Sequence, residues 1–247
     1  MMDIPETVIE RLAHAKRVAA LTGAGISAES GVATFRGKDG IWNKLKPQEL
    51  ASMDAFLKNP SLVLEWYEYR RNLIKDVTPN KAHKTLAEME NAYPHFAIST
   101  QNIDGLHAKA GSRNIYELHG NILRNRCNEC GNYVEHVKFE SGTLPRCECG
   151  GLVRPDVVWF GEMLPIDILD QSFVEAQNAD VYLSVGTSAV VYPAAQLPVT
   201  ALQSGAFVIE INLEPTNLSP HVDASFQGKA GDVLPQIWNQ VKERLAN

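Results

Sequence analysis

Short runs rich in Val, Ile and Ala recur along the chain: RVAALT (17–22), HFAIST (95–100), NIYEL (114–118), DVYLSV (180–185) and AFVIEI (206–211). Near-continuous apolar runs of this length suit strands covered on both faces. Between them the pattern predicts helices over 5–15, 82–92, 166–178, 192–204 and 232–245, the last with its apolar positions at clear helical intervals. Strands alternating with helices predict an α/β fold around a parallel sheet. No internal repeat or low-complexity segment interrupts the alternation.

Two stretches break it. Residues 31–80 are too long for a strand-to-helix turn, and within them Asn59-Pro60 reads as a helix cap followed by proline at the first helical position. That stretch is expected to be an inserted helical module. Its helix carries EWYEYRR (65–71), which sets Tyr67, Arg70 and Arg71 on one face. A phenol and a guanidinium so placed suit a carboxylate through planar, charge-assisted hydrogen bonds; the alternative is a solvated helix face. The second stretch, 121–156, holds all four cysteines, several glycines and little helical period, and is expected to be a small metal-held subdomain.

Composition narrows the function classes. The 247 residues suffice for one large domain with an insertion, and 45% are hydrophobic. A net charge of -6, with both signs interspersed, provides no basic stripe for nucleic acid. The N-terminal residues are polar and amphipathic, and no run of 18 apolar residues occurs, so a soluble cytoplasmic protein is expected. The cysteines fall as Cys127-x2-Cys130 and Cys147-x-Cys149, which favours tetrahedral zinc with no open position over a disulfide framework. The second knuckle is one residue shorter than the usual C-x2-C, a departure that bears on how tightly the metal is held.

Directly after the first predicted strand comes GAGISA (23–28), which satisfies G-x-G-x-x-G/A. Glycines there let the backbone approach a pyrophosphate and aim N–H groups at it; a tight structural turn is the competing reading. A ribose-binding acid about 20 residues on is missing, since that distance falls in IWNKLKPQEL. An ordinary hydride-transferring dehydrogenase is therefore disfavoured. Asn212-Leu213-Glu214, just past the end of AFVIEI, is the better ribose candidate. HFAIST runs into Gln101, Asn102 and Asp104, NIYEL into His119, and DVYLSV into Gly186-Thr187-Ser188, all facing one crevice at the strand ends. His119 is the natural general base there, because imidazole titrates near neutrality.

Taken together, GAGISAESGVATFRG, TQNIDGLH, ELHG, the four cysteines, VVWFGE, VGTSAVV, INLEP and GKAGDVL resemble the sirtuin family of NAD-dependent protein lysine deacylases over nearly the whole chain. The resemblance implies a Rossmann-type large domain (1–30, 81–120 and 157–247), a cofactor loop and helical module (31–80) and an inserted small zinc domain (121–156). Usual members carry a proline and an aspartate where this chain has Ala33 and Thr34, and threonine there resembles the branch that removes succinyl and malonyl groups.

Carried onto this sequence, the resemblance implies that NAD pyrophosphate lies at Gly23, Ala24, Gly25, Ser27 and Ala28 and at Gly186, Thr187 and Ser188. Adenosine is expected near Asn212, Leu213, Glu214 and Ala230, and the nicotinamide carboxamide against Asp104, with Ile103 and Trp42 among the cofactor contacts. Thr34, Phe35 and Arg36 belong to the loop closing over the ribose, while Gln101 and Asn102 orient ribose and water. The acyl oxygen of the substrate displaces nicotinamide, His119 deprotonates a ribose hydroxyl, and free lysine and acyl-ADP-ribose follow. Val157 to Glu162, with Val158, Phe160 and Gly161 as contacts, resembles the segment that pairs with substrate backbone, and Tyr67 with Arg70 is expected to read an acidic acyl group. Acyl-lysine proteins are the expected partners of a monomeric enzyme holding one structural zinc. Two alternatives remain at this stage: a mono-ADP-ribosyltransferase on the same NAD site, and a zinc-ribbon interaction protein with a vestigial Rossmann domain.

Overall fold

The computed structural model describes residues 2–34, 47–135, 137 and 143–246. Six strands form one parallel sheet: β1 (Arg17–Thr22), β2 (His95–Thr100), β3 (Ile115–Glu117), β6 (Val181–Val185), β7 (Phe207–Asn212) and β8 (Ala224–Gln227). Their order is β3-β2-β1-β6-β7-β8. The chain thus winds outward from β1 in one direction and, after the intervening segment, from β6 in the other. This is the Rossmann-type arrangement, in which ligands bind outside the carboxyl ends where the strand order reverses. Thr22 stands level with Thr100 on one side and Val185 on the other, so the turns following β1, β2 and β6 emerge side by side.

Alternation within the strands sends side chains to two helical layers. Val18 and Ala20 of β1 join a core with Val8 and Leu12 of α1 (Glu6–His14), Leu86 and Met89 of α6 (Lys81–Ala92), and Ile237 and Trp238 of α10 (Ala230–Leu245). Ala19 and Leu21 face the other way, onto Ala176 of α8 (Ile166–Asn178) and Leu197 and Ala201 of α9 (Gln196–Gln203). The predicted strands and helices are found, with one notable shift. Helix α9 starts at Gln196 rather than 192, because residues 191–196 form turns in which Val191 and Pro193 carbonyls accept from Ala195 and Gln196. Strand β8 and the five-residue α7 (Leu106–Ala110) escape the pattern; both are too short to show a period.

The remaining elements stand off the sheet. Helices α2 (Ala24–Ser27) and α3 (Pro47–Leu50) are single turns, and α4 (Met53–Lys58) and α5 (Pro60–Ile74) form a helical pair. The side chain of Asn59 accepts from the Leu62 N–H, and Pro60 opens α5, as the sequence predicts. This pair packs Phe56, Val63, Leu64 and Tyr67 against Ile122, Val157 and Trp159. An antiparallel ribbon of β4 (Gly120–Cys127) and β5 (Val153–Val157) leads from the sheet edge to the cysteines. Gly120 begins it with φ +77, and a Cβ there would lie 2.1 Å from the Asp156 carbonyl, so only glycine can follow His119. Among the described residues no helix is long and apolar enough to cross a membrane.

Candidate active site

Because β1 and β6 end level, the turns that follow them meet. The Gly25 N–H donates to the Gly186 carbonyl at 2.8 Å, and the Gly23 N–H to the Val185 carbonyl at 3.0 Å. Gly186 has φ +62, and a Cβ on it would lie 2.4 Å from the Ile26 nitrogen. The glycines at 23, 25 and 186 therefore serve backbone-to-backbone contact between two turns. This refines the sequence expectation: two of the amides credited with facing a pyrophosphate are bonded within the protein. Ala24 and Ser27 instead line a pocket with Val32, Ala33, Arg70, Ile74, Asn102, Ile103 and Asp104. Thr34, the next residue in the chain, is half-buried, whereas Phe35, Arg36 and Trp42 lie outside the described residues.

The end of β2 supplies the polar centre of this crevice. Asn102 is buried and its Nδ2 donates to the Gly23 carbonyl (3.0 Å) and to Ser27 Oγ (3.1 Å). The Ser27 hydroxyl in turn donates to Asp104 Oδ2 at 2.7 Å, and the Leu106 N–H donates to Asp104 Oδ1 at 2.9 Å. Burial raises the Asp104 pKa, opposed by those two donors. Gln101 reaches across to β6, its Nε2 donating to Thr187 Oγ1 at 2.8 Å. Beneath lie two histidines that sequence reasoning passed over: His83, on the buried face of α6, and His107. His107 Nε2 meets Thr22 Oγ1 at 2.9 Å, the two rings are 5.0 Å apart, and burial lowers their pKa values to about 4 (His83) and about 3 (His107). Both are neutral supports under the turn; a histidine among Ala82, Leu86 and Met89 on one helix face was the available signal.

His119 follows β3 and stands at the same crevice. Its Nδ1 lies 2.9 Å from the Gln101 carbonyl. A carbonyl only accepts, so Nδ1 carries the proton and Nε2 keeps its lone pair. Burial lowers the pKa below the ordinary imidazole value of 6.5, with the Gln101 hydrogen bond working the other way. The ring is consequently neutral and basic at neutral pH.

Beyond β6 the crevice continues past β7. Asn212 Nδ2 donates to the Thr187 carbonyl at 3.0 Å, which ties the two strand ends together, and its Oδ1 accepts from the Leu213 N–H. Leu213, Glu214 and Ser188 are exposed. Ala28 is half-buried in the turn after α2, and its neighbour Glu29 caps α10 by accepting from the Gly231 N–H at 2.7 Å. Ala230, the first residue of that helix, is buried.

On the helical module the two arginines of EWYEYRR part ways. Arg71 Nε donates to the Ile122 carbonyl at 2.7 Å, freed from the ribbon by a bulge between Asn121 and Asn125, and Nη2 donates to Asn125 Oδ1 at 2.7 Å. Arg71 therefore pins α5 to β4. Arg70 turns toward the pocket wall, its guanidinium 4.9 Å from the Trp66 ring centroid and 5.9 Å from that of Tyr67. Burial lowers its pKa, opposed by the neighbouring Tyr67 and Asp104 groups. Tyr67 is buried in the module core, and its hydroxyl accepts from Trp159 Nε1 at 2.8 Å. After β5 the Val158 N–H donates to the His119 carbonyl and the Phe160 N–H to that of Ala51, both at 2.9 Å, so two amides of the expected substrate-pairing segment are already bonded. Phe160 and Gly161 are exposed.

At the far end of the ribbon the sulfurs of Cys127, Cys130, Cys147 and Cys149 all lie within 4.8 Å of one another. Cys127 and Cys149 approach to 3.4 Å and Cys130 and Cys147 to 3.8 Å. Four thiolates about 2.3 Å from one zinc sit roughly 3.8 Å apart, so this donor set fits a closed tetrahedral site. Around the short second knuckle the Cys147 N–H donates to the Gly151 carbonyl at 2.9 Å and the Gly150 N–H to the Cys147 carbonyl at 2.8 Å, a tight turn that spans Cys149.

Comparison with known proteins fits this geometry. Residues 23–193 match the model of the Sir2 family. An NAD-dependent protein deacylase of Aquifex aeolicus is 52% identical over 93% of this chain and 97% of its own length. Among solved structures, a complex of a Sir2 homologue with NAD superposes with a TM-score of 0.92 at 47% identity, covering 98% of this chain and 96% of that one. A Sir2 complex with a p53 peptide and NAD superposes with a TM-score of 0.87 at 31% identity, covering 98% of this chain and all of that one. The chain, with its Rossmann-type sheet, four-cysteine module and polar crevice, belongs to the Sir2 family.

Proposed function

We propose that the protein is an NAD-dependent protein lysine deacylase that favours succinyl and malonyl groups and removes acetyl groups more slowly. The observation that carries the deacylase reading is His119, a neutral imidazole with Nε2 left as a base at the carboxyl ends of the strands. NAD, when bound, supplies the ribose carbon that takes up the acyl oxygen, with nicotinamide as leaving group. The protein's own residues do the rest. Asn102, fixed by two donated bonds, and Asp104, fixed by Ser27 and Leu106, present amide and carboxylate groups suited to a ribose and a carboxamide. Gln101 holds the His119 proton through its carbonyl and the β6 turn through its side chain. His119 Nε2 takes a proton from a ribose hydroxyl, and the four cysteines hold a structural zinc away from this chemistry.

The acidic-acyl preference is supported by Arg70, a guanidinium on the wall of the pocket beside a buried phenol. A hydrogen bond to a charged partner is worth about 1.5 to 3 kcal/mol, which corresponds to roughly ten- to over a hundredfold in kcat/KM. The test is to incubate succinyl-, malonyl- and acetyl-lysine peptides with NAD and follow nicotinamide and deacylated peptide by mass spectrometry. Succinyl peptide should lead by that factor, and Arg70→Met should bring the ratio near one. Arg71→Met, which loses bonds to β4, should lower stability without changing the ratio. Equal rates on succinyl and acetyl peptides would remove the preference. Nicotinamide release with ribosylated protein and intact acyl peptide would favour an ADP-ribosyltransferase instead.

A further inference from the structure

Behind the proposed acyl pocket lies a brace that the chemistry above does not use. Trp159 is 2% exposed, and the Arg154 guanidinium lies 3.2 Å from its ring centroid. Arg154 is itself buried, held by Glu162 at 2.6 and 2.9 Å and by the Val157 carbonyl at 2.7 Å. Glu162 also accepts the Trp159 backbone N–H at 2.7 Å, and Phe56 packs beside the indole at 5.1 Å between centroids. With ring and backbone both fixed, the indole has one direction in which to offer its Nε1–H, and that direction ends on the Tyr67 hydroxyl at 2.8 Å.

An indole N–H can only donate, so the phenol oxygen is the acceptor in this pair. The phenolic proton must then point elsewhere, and among the described residues no acceptor for it stands within hydrogen-bond distance. Burial pushes the Tyr67 pKa up to about 12, so the proton stays in place at neutral pH. A buried hydroxyl that accepts from one fixed donor and whose proton meets no acceptor among the described residues discriminates in favour of an incoming acceptor. Resting on the acidic-acyl reading, we propose that Trp159 is a specificity-determining positioning residue: its indole N–H fills the acceptor side of Tyr67 and so commits the phenol to donate, alongside Arg70, to the distal carboxylate of the acyl group.

Two measurements test this. The first compares kcat and KM of wild type and Trp159→Phe on succinyl- and acetyl-lysine peptides; the second compares indole N–H resonances of ¹⁵N-tryptophan-labelled wild type and Tyr67→Phe, the Trp159 signal being the one lost in Trp159→Phe. The succinyl-to-acetyl ratio of kcat/KM should fall roughly two- to tenfold in Trp159→Phe, mainly through KM for the succinyl peptide. The Trp159 resonance should shift upfield when Tyr67 loses its hydroxyl. An unchanged ratio, including equal losses on both peptides, overturns the proposal, as does a resonance that Tyr67→Phe leaves in place. If Trp159→Phe does not fold, the resonance, assigned through tyrosine-to-indole contacts, decides. A wild type without succinyl preference but with the resonance shift sinks the acidic-acyl reading and this role with it. An unmoved resonance in an enzyme that does prefer succinyl removes Trp159 alone.

Discussion

The protonation of the His119 ring is set by a neighbour's main chain and by burial. The Gln101 carbonyl fixes the tautomer, and burial keeps the ring unprotonated. Since only the neutral ring is a base and its pKa lies below 6.5, kcat/KM should be flat through neutrality and fall on the acid side, with a midpoint below 6.5. A midpoint well above that value would mean another group sets the limb. His119→Ala should lose on the order of 10²- to 10⁴-fold in turnover while still binding NAD. Retention of more than about a tenth of wild-type turnover would take His119 out of that role. The residue type and its place after a strand were legible in the sequence. Its tautomer was not, because Gln101 and His119 follow different strands and meet only where β2 and β3 end side by side.

At the scale of elements, the sheet was readable because strands buried on both faces leave unbroken apolar runs, as RVAALT and HFAIST do. Short or one-sided elements such as β8 and α7 left no such trace. The glycines of GAGISA were readable as a turn of close approach, but the approaching partner was not. Gly25 touches Gly186, a residue of a different strand turn, because β1 and β6 are neighbours in the sheet. Gly186→Ala would need a left-handed backbone, costing about 1–2 kcal/mol, and its Cβ would drive the Ile26 amide away. We expect a stability loss of about 2 kcal/mol or more, seen as a melting temperature lower by several degrees, together with weaker NAD binding in calorimetry. A variant that melts and binds NAD like wild type would show that the two turns separate freely.

For the whole molecule, the helical module packs on the ribbon of β4 and β5, which leaves the sheet edge after His119 and leads to the four cysteines. Structural zinc contributes on the order of 10 kcal/mol to modules of this kind. Chelation should therefore abolish activity and increase hydrogen exchange across β4 and β5 while β1, β2 and β6 stay protected, and added zinc should restore both. Full activity in metal-free protein would contradict this. The sequence alone determined the fold class, the four thiolates and the cluster of polar strand ends, since each rests on residue type and local spacing. Only the tertiary structure decided which amides are already bonded, that Arg71 is tied to β4 while Arg70 lines the pocket, and that Trp159 donates to Tyr67. Those facts depend on contacts between segments far apart in the chain, where adjacent arginines on one helix meet different surroundings and no local pattern tells them apart.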